Sequence, residues 1–221
     1  MAIVLLFATN LLIAQERKPA QPNVTPPITP KESDQDLRKL PLSKPWKPGD
    51  PVREMPDLRQ SGSEPRRVTG GPHTLIVVNG TFTVQSTRNV DPEGPFAFES
   101  LWTEDRCAAS STQELRVLYD ERAKRWLLGR WASLAPDSAF HYCVALSRTS
   151  DPVSGGWFLY DYPLPMYRAG SSIDATGDIY SLAIDLGGAR VVFAFDRSRM
   201  LEGAPAAYTR MPPLQESPRN R

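Results

Sequence analysis

The chain lacks the features that mark a nucleic-acid-binding, membrane-binding or zinc-binding protein. Its 221 residues include 26 basic and 25 acidic side chains, and the net charge of +1 gives no reason to expect nucleic acid or an anionic membrane as a partner. The two histidines and two cysteines do not include a CxxC pair or a histidine cluster, so the spacing of a zinc site is missing. We therefore expect no metal site.

The usual signatures of catalysis and of cofactor binding are missing as well. No Ser or Cys lies in a recognisable nucleophile elbow, and no glycine-rich phosphate loop precedes a helix. His141 falls within an apolar strand pattern and is interpreted as structural. We expect no cofactor, and a role without catalysis is favoured, although enzymatic activity stays open.

The N-terminus is apolar over residues 1–14, the length of a signal-peptide core of about 7–15 residues. It is shorter than the run of about 20 apolar residues that a bilayer crossing needs. No Lys or Arg precedes it, which a start codon placed too late would explain, and a buried N-terminal strand is the alternative. We interpret the segment as a signal peptide and expect a secreted, periplasmic or cell-surface protein without a membrane span.

Proline is concentrated near the N-terminus, where half of the 22 prolines lie between Pro19 and Pro65. Residues 15–71 mix proline with charges of both signs and show no apolar periodicity. Proline removes backbone donors, and such a composition cannot bury a core. We predict a disordered linker here, with an extended arm along the domain surface around Trp46 as the alternative.

Strand patterns dominate the remainder of the chain. Two β-rich runs, residues 73–78 and 81–85, flank Asn79-Gly80, a pair that favours a hairpin turn because both central residues need positive φ. Two groups of four predicted strands follow: residues 115–119, 124–132, 139–147 and 157–162, then residues 171–175, 179–185, 190–196 and 207–211. A single helical turn is predicted at residues 198–202, and no long segment shows a helical period.

Four short strands joined by turns are the content of one β-propeller blade, which must stack on neighbours. We predict an all-β domain over residues 72–214, made of β-propeller-like blades of four antiparallel strands, followed by a disordered tail at residues 215–221. Two blades and a hairpin do not close a ring of about 4–8 blades. Further blades of a longer chain are favoured as the completion; other copies of the chain or an open stack of sheets are the alternatives.

An incomplete ring leaves the outer faces of its terminal blades uncovered. We expect the edge at residues 191–195 and the face with Tyr180 and Leu182 to be the most exposed apolar surfaces of the last blade.

The two cysteines, Cys107 and Cys143, form an even count in a chain that is expected to be exported. That combination predicts a disulfide between them. Two buried free thiols are the alternative if the chain is not exported.

Aromatic and acidic residues are the candidates for a functional surface. Trp131, Trp157, Tyr160 and Tyr162 form a possible binding surface for a sugar or a protein, with packing between blades as the alternative. Acidic residues recur at strand ends: Asp120, Asp151, Asp161, Asp174, Asp178, Asp185 and Asp196. Two carboxylates about 5–9 Å apart could hydrolyse a glycoside. Turn chemistry alone also explains them, and calcium binding at such turns stays open.

Several motifs resemble secreted bacterial proteins with a β-propeller-like fold and no assigned activity. They are VLYD (residues 117–120), RWLL (125–128), CVALSRTSDP (143–152), GGWFLYDY (155–162) and VVFAFDRSRML (191–201). The resemblance covers about residues 74–214 and implies an exported, non-catalytic module that binds a protein or glycan at the cell surface. A fragment of a propeller-type carbohydrate hydrolase and a purely structural spacer are the alternatives.

Overall fold

The computed structural model describes residues 23–40, 65–78, 80–88, 91–103, 106–109, 115–132, 140–166, 170–186, 189–212 and 214–215. The predicted signal peptide, residues 15–22 and 41–64 of the predicted linker and residues 216–221 of the predicted tail lie outside them. None of the helices within the described residues reaches the length and apolar character that a membrane crossing needs.

The described residues are mostly β-strand, which confirms the predicted all-β class. The strands are β1 (Asn23–Val24), β2 (Lys31–Ser33), β3 (Arg66–Gly70), β4 (His73–Val78), β5 (Thr81–Ser86), β6 (Glu93–Ala97), β7 (Leu115–Asp120), β8 (Arg125–Ala132), β9 (Phe140–Ser147), β10 (Trp157–Leu164), β11 (Ser172–Thr176), β12 (Ile179–Asp185), β13 (Ala189–Asp196), β14 (Tyr208–Arg210) and β15 (Leu214–Gln215). The helices are short: α1 (Arg106–Ala109), α2 (Arg197–Leu201) and two 3₁₀ turns, Leu37–Lys39 and Phe98–Leu101.

These strands form three antiparallel sheets. The first sheet has the order β3-β4-β5-β6, and the second has the order β2-β10-β9-β8-β7. The third has the order β1-β14-β13-β12-β11, with β15 also paired to β13. Consecutive strands pair because short turns connect them, such as the β4–β5 turn, where Gly80 has φ 77°.

The second sheet lies between the other two because both of its faces are apolar. Along β9, Cys143 and Ala145 belong to the core shared with the first sheet. The alternate residues Tyr142, Val144 and Leu146 belong to the core shared with the third sheet. The side chains of β9 thus alternate between two cores, and each face of the second sheet has its own partner.

Each sheet has one edge strand on the same side of the stack, β3, β7 and β11, which we call the first strands, since β7 contacts both β3 and β11. The approach of β3 to β7 is close: a Cβ atom at Gly70 would lie 2.0 Å from the ring of Tyr119. Only glycine fits at that position without displacing the ring. The three strands therefore form one side of the stack, and the opposite edge strands of the three sheets are β6, β2 and β1.

The predicted disordered linker is wrong where the structure describes it. Strand β1 adds to β14 in the third sheet, and β2 adds to β10 in the second. Leu37 is fully buried in the core of the first and second sheets, and its backbone N–H donates to the Val153 carbonyl at 2.9 Å. An edge strand uses only alternate backbone groups, so prolines between the pairing residues are tolerated.

The predicted linker range also contains β3, which pairs with β4 along its whole length. The first sheet therefore has four strands instead of the predicted hairpin. Its first strand is polar and lies at an edge, so the alternation that marks a half-buried strand is weak there.

The predicted exposed apolar surface on the third sheet is also wrong. Tyr180, Leu182 and Phe193 are at most 1% exposed, because that side of the sheet packs against the second sheet. Strand β13 is an interior strand, since β12 pairs with one edge of it and β14 and β15 with the other. Among the described residues, the face of the third sheet that no other sheet covers is the opposite one.

Candidate functional site

The four aromatic residues predicted as a binding surface are core residues. Trp131, Trp157, Tyr160 and Tyr162 are at most 1% exposed. Trp131 Nε1 donates to Ser171 Oγ at 3.2 Å, and the Tyr160 hydroxyl donates to the Ala204 carbonyl at 3.0 Å. These strands carry apolar residues on both faces, so both faces are covered by neighbouring sheets. The four aromatic side chains therefore pack in the core and none of them faces solvent. The prediction of a surface built from these residues is wrong.

The predicted disulfide between Cys107 and Cys143 is confirmed. Its Cα atoms lie 5.8 Å apart, and the bond joins α1 to the middle of β9. Both cysteines are fully buried. The bond thus attaches the segment between the first and second sheets to the face of the second sheet.

Charged side chains surround this disulfide. Arg130, Cys143 and Asp161 are direct neighbours across β8, β9 and β10. Arg130 is 3% exposed, and its guanidinium donates to Glu99 Oε2 at 2.9 Å and to the Cys107 carbonyl at 3.3 Å. Burial lowers the pKa of Arg130, and the negative charge of Glu99 opposes that shift.

His141 links the other two charges of this cluster. Its Nδ1 lies 2.5 Å from Asp161 Oδ1, and its Nε2 contacts a guanidinium nitrogen of Arg106. Arginine can only donate, so Nε2 accepts and Nδ1 carries the proton that is donated to Asp161. Both ring nitrogens are occupied. The expected structural role of His141 therefore fits its contacts better than proton transfer to a substrate.

We define the disulfide cluster as Glu99, Arg106, Cys107, Arg130, His141, Cys143 and Asp161. The atoms of Cys107, Cys143 and Asp161 that could coordinate a metal ion lie within 4.8 Å of one another, as in a metal site. Both sulfurs are, however, bonded to each other, and a metal ligand must be a thiolate. In this oxidised state the cluster joins elements of the structure and has no open coordination position at sulfur.

A second buried charged network connects the second and third sheets. Asp120, at the end of β7, receives hydrogen bonds from Arg197 Nε at 2.6 Å and from the Tyr180 hydroxyl at 2.7 Å. The backbone N–H groups of Arg122 and Ala123 each donate to the same carboxylate at 3.1 Å. Burial alone raises the pKa of Asp120, but the hydrogen bonds from Arg197, Tyr180 and Ala123 outweigh it and lower that pKa. We call Asp120, Tyr180 and Arg197 the Asp120 network.

Other acidic residues of the predicted set have local structural roles. Asp151 accepts from the Val153 N–H at 2.8 Å and the Ser154 hydroxyl at 2.6 Å. Asp196 accepts from the Arg199 N–H at 3.0 Å and so caps α2. Asp174 accepts from the Ala175 N–H at 2.8 Å. These contacts are the turn chemistry expected of aspartate at strand ends.

Sequence reasoning missed the two buried arginines. Arg130 and Arg197 lie in segments that pattern analysis treats as ordinary strand and turn. A buried arginine is recognisable only through its partner, and Asp120 is 77 residues from Arg197. The only available signal was the arginine at position 130 within the apolar run of β8.

Comparison with protein-family models, with curated proteins and with solved structures finds no match to this chain. The resemblance to secreted propeller-like proteins therefore stays a prediction.

Proposed function

We propose that this protein is an exported, non-catalytic module of the β-propeller type that binds a partner through its first strands. One observation carries the proposal: three antiparallel sheets of at least four strands lie face to face, and β7, the first strand of the middle sheet, contacts the first strands of the other two, β3 and β11. Propeller blades have four strands and are arranged around a central channel. The same arrangement of a partial ring would place β3, β7 and β11 along that channel.

The disulfide supports export. Disulfides form and persist in oxidising compartments and are rare in reducing ones. The bond between Cys107 and Cys143 joins two fully buried residues and is part of the core between two sheets. The disulfide of this core would form in the periplasm, at the cell surface or outside the cell, because those compartments are oxidising.

The contacts of the acidic residues favour binding over hydrolysis. A glycoside hydrolase needs one carboxylate that can donate a proton and a second one free to act on the sugar. Asp120 is held ionised in a buried ion pair, and Asp161 accepts a hydrogen bond from His141 Nδ1–H. Asp151, Asp174 and Asp196 accept hydrogen bonds from backbone groups of their own segments. The hydrolase alternative thus loses five of its seven candidate carboxylates to structural roles.

The partner that best suits the first strands carries acidic groups. Arg66 on β3 is exposed, and Arg116 on β7 is half-buried. Burial lowers the pKa of Arg116, and the positive charge of Arg66 lowers it further, which places the two guanidinium groups within electrostatic reach. A carboxylate or sulfate group of the partner could pair with the exposed guanidinium of Arg66.

The test is a binding experiment with a catalytic control. The full chain would be screened against acidic and neutral glycans and, by pull-down, against cell-surface proteins. We expect binding without turnover to an acidic partner, weakened by Arg66→Glu and unchanged by Arg88→Glu, a matched exposed arginine in the turn after β5. Release of sugar products would favour the hydrolase alternative. Binding that Arg66→Glu leaves unchanged would contradict the proposed surface.

A further inference from the structure

The first sheet has one face that no other described element covers. Along β4, Leu75 and Val77 point into the core, so Thr74, Ile76 and Val78 point the other way. The neighbouring outward residues are mainly β-branched: Thr69, Thr81 and Thr83. Arg67, on the first strand β3, is the charged side chain at the inner end of this surface. We call these seven residues the first free face.

The third sheet also has a face that none of the other described sheets covers, although its central alanines, Ala183 and Ala194, are only 6% and 8% exposed. Along β12 and β13, Leu182 and Phe193 point into the core, so Ala183 and Val192 point outward. The neighbouring outward residues are small: Ser172, Ser181, Ala194 and Thr209. Asp174, on the first strand β11, is exposed at the inner end of this surface. We call these residues the third free face.

The two free faces differ in side-chain size and carry opposite charges. The first carries β-branched side chains around Ile76, and the third carries alanine and serine side chains around Val192. Both charged side chains lie on first strands, which are neighbours wherever two sheets of this chain stack. A third free face placed on a first free face in the same way would bring Asp174 towards Arg67, and opposite charges at that position favour the correct pairing.

We propose that two copies of this chain close into one ring, with the third free face of each copy packed on the first free face of the other. The described residues of each copy supply three sheets, so two copies supply 3 + 3 sheets, a number within the range of about 4–8 blades of closed propellers. The proposal rests on the propeller-type arrangement of the proposed function. A two-fold ring of this kind uses the same head-to-tail contact twice and leaves neither free face uncovered.

Single-face variants test this geometry. Ile76→Glu places a charge on the first free face, and Val192→Glu places one on the third. In the full, oxidised chain we expect the unmodified protein to sediment as a dimer and each variant alone to associate at least tenfold more weakly. Glu202→Lys, an exposed substitution after α2 and outside both faces, is the matched control and should remain dimeric.

Mixing the two variants separates a head-to-tail ring from a dimer that uses one face twice. The third free face of Ile76→Glu and the first free face of Val192→Glu are both intact, so the mixture should form a one-to-one heterodimer through one contact. Ser181→Arg replaces Val192→Glu if circular dichroism shows that the latter does not fold. Arg67→Asp should weaken association and recover it when mixed with Asp174→Arg.

Each outcome is decisive. A folded, unmodified chain that remains monomeric at its highest soluble concentration overturns the proposal, as does a dimer whose single-face variants do not rescue each other. Binding of an acidic partner through Arg66 is measured on the same samples. A monomer that still binds this partner refutes the ring and leaves the proposed function standing, whereas a dimer without partner binding refutes the proposed function alone.

Discussion

The two sheet-to-sheet interfaces each bury an arginine, but they satisfy it differently. Between the second and third sheets, Arg197 pairs with a carboxylate that is only 2% exposed, and hydrogen bonding to Asp120 raises the pKa of Arg197. Between the first and second sheets, Arg130 pairs with Glu99, which is 42% exposed, and burial lowers the pKa of Arg130. Of these two pairs, only Arg130–Glu99 lies beside a disulfide bond.

The difference shows two ways of holding a polar group in a β-sheet core. The Asp120 network satisfies both charges within the protein, so it needs no crosslink. Arg130 has a partner open to solvent, a carbonyl acceptor and the ring of Phe98, whose centroid lies 4.9 Å from its guanidinium carbon. We infer that the first-to-second interface depends on the disulfide cluster, whereas the second-to-third interface depends on a non-covalent pair.

The largest expected effect comes from removing the carboxylate of the Asp120 network. Asp120→Ala leaves Arg197 buried without its partner, which costs about 3–5 kcal/mol of unfolding free energy. Denaturant unfolding of the full, oxidised chain would measure it. Asp151→Ala, which removes a turn aspartate without a buried cation, is the control and should cost less. Equal losses in the two variants would contradict a special role for the network.

The next largest effect comes from the disulfide. The bond closes a segment with a sequence separation of 36, so replacing Cys107 and Cys143 by serine should cost about 3–4 kcal/mol by loop-closure estimates. Unfolding of the double variant would be compared with that of the oxidised and reduced parent. A double variant as stable as the oxidised parent would show that the cluster holds the interface without its crosslink.

A smaller effect is expected at the exposed end of the Arg130 pair. Glu99→Gln keeps an acceptor near the guanidinium and removes a charge that solvent already screens, so the loss should be about 1 kcal/mol. The same change in the buried pair, Asp120→Asn, should cost more. Reversal of this order in denaturant unfolding would contradict the comparison between the two interfaces.

The smallest expected effect is confined to acid pH. The pKa of Asp120 is lower in the folded chain than its ordinary value, so its ionised form contributes stability that is present at neutral pH and lost as the pH falls through the folded pKa. The difference in unfolding free energy between the parent and Asp120→Asn should therefore shrink below about pH 4. A difference that grows on acidification would have the wrong sign.

Local patterns made much of the fold predictable. The hairpin of β4 and β5 and the strands β7 to β14 follow from alternation and turn residues, and the disulfide followed from the cysteine count. The pairing of β1 and β2 does not follow from such patterns, because the pairing of a proline-rich segment depends on a free strand edge elsewhere in the chain. Local sequence does not contain that information.

The candidate site was less predictable than the fold. Alternation identified two sets of side chains along β9 and β10, but not that both sets would be covered, so Trp157 and Tyr160 were assigned to a surface. The partner of Asp120 comes from a distant strand end, and its hydrogen bonds arise only after the second and third sheets pack. Charged networks between sheets depend on tertiary structure, which no local pattern encodes.

Hydrogen exchange of the full chain before and after reduction tests the central claim most directly. We predict that reducing the bond between Cys107 and Cys143 lowers amide protection in the first sheet, above all in β4 and β5, and leaves β12 and β13 protected. That result would show that the two interfaces are held by different means. An equal loss of protection in the first and third sheets, or no loss in either, would contradict the account.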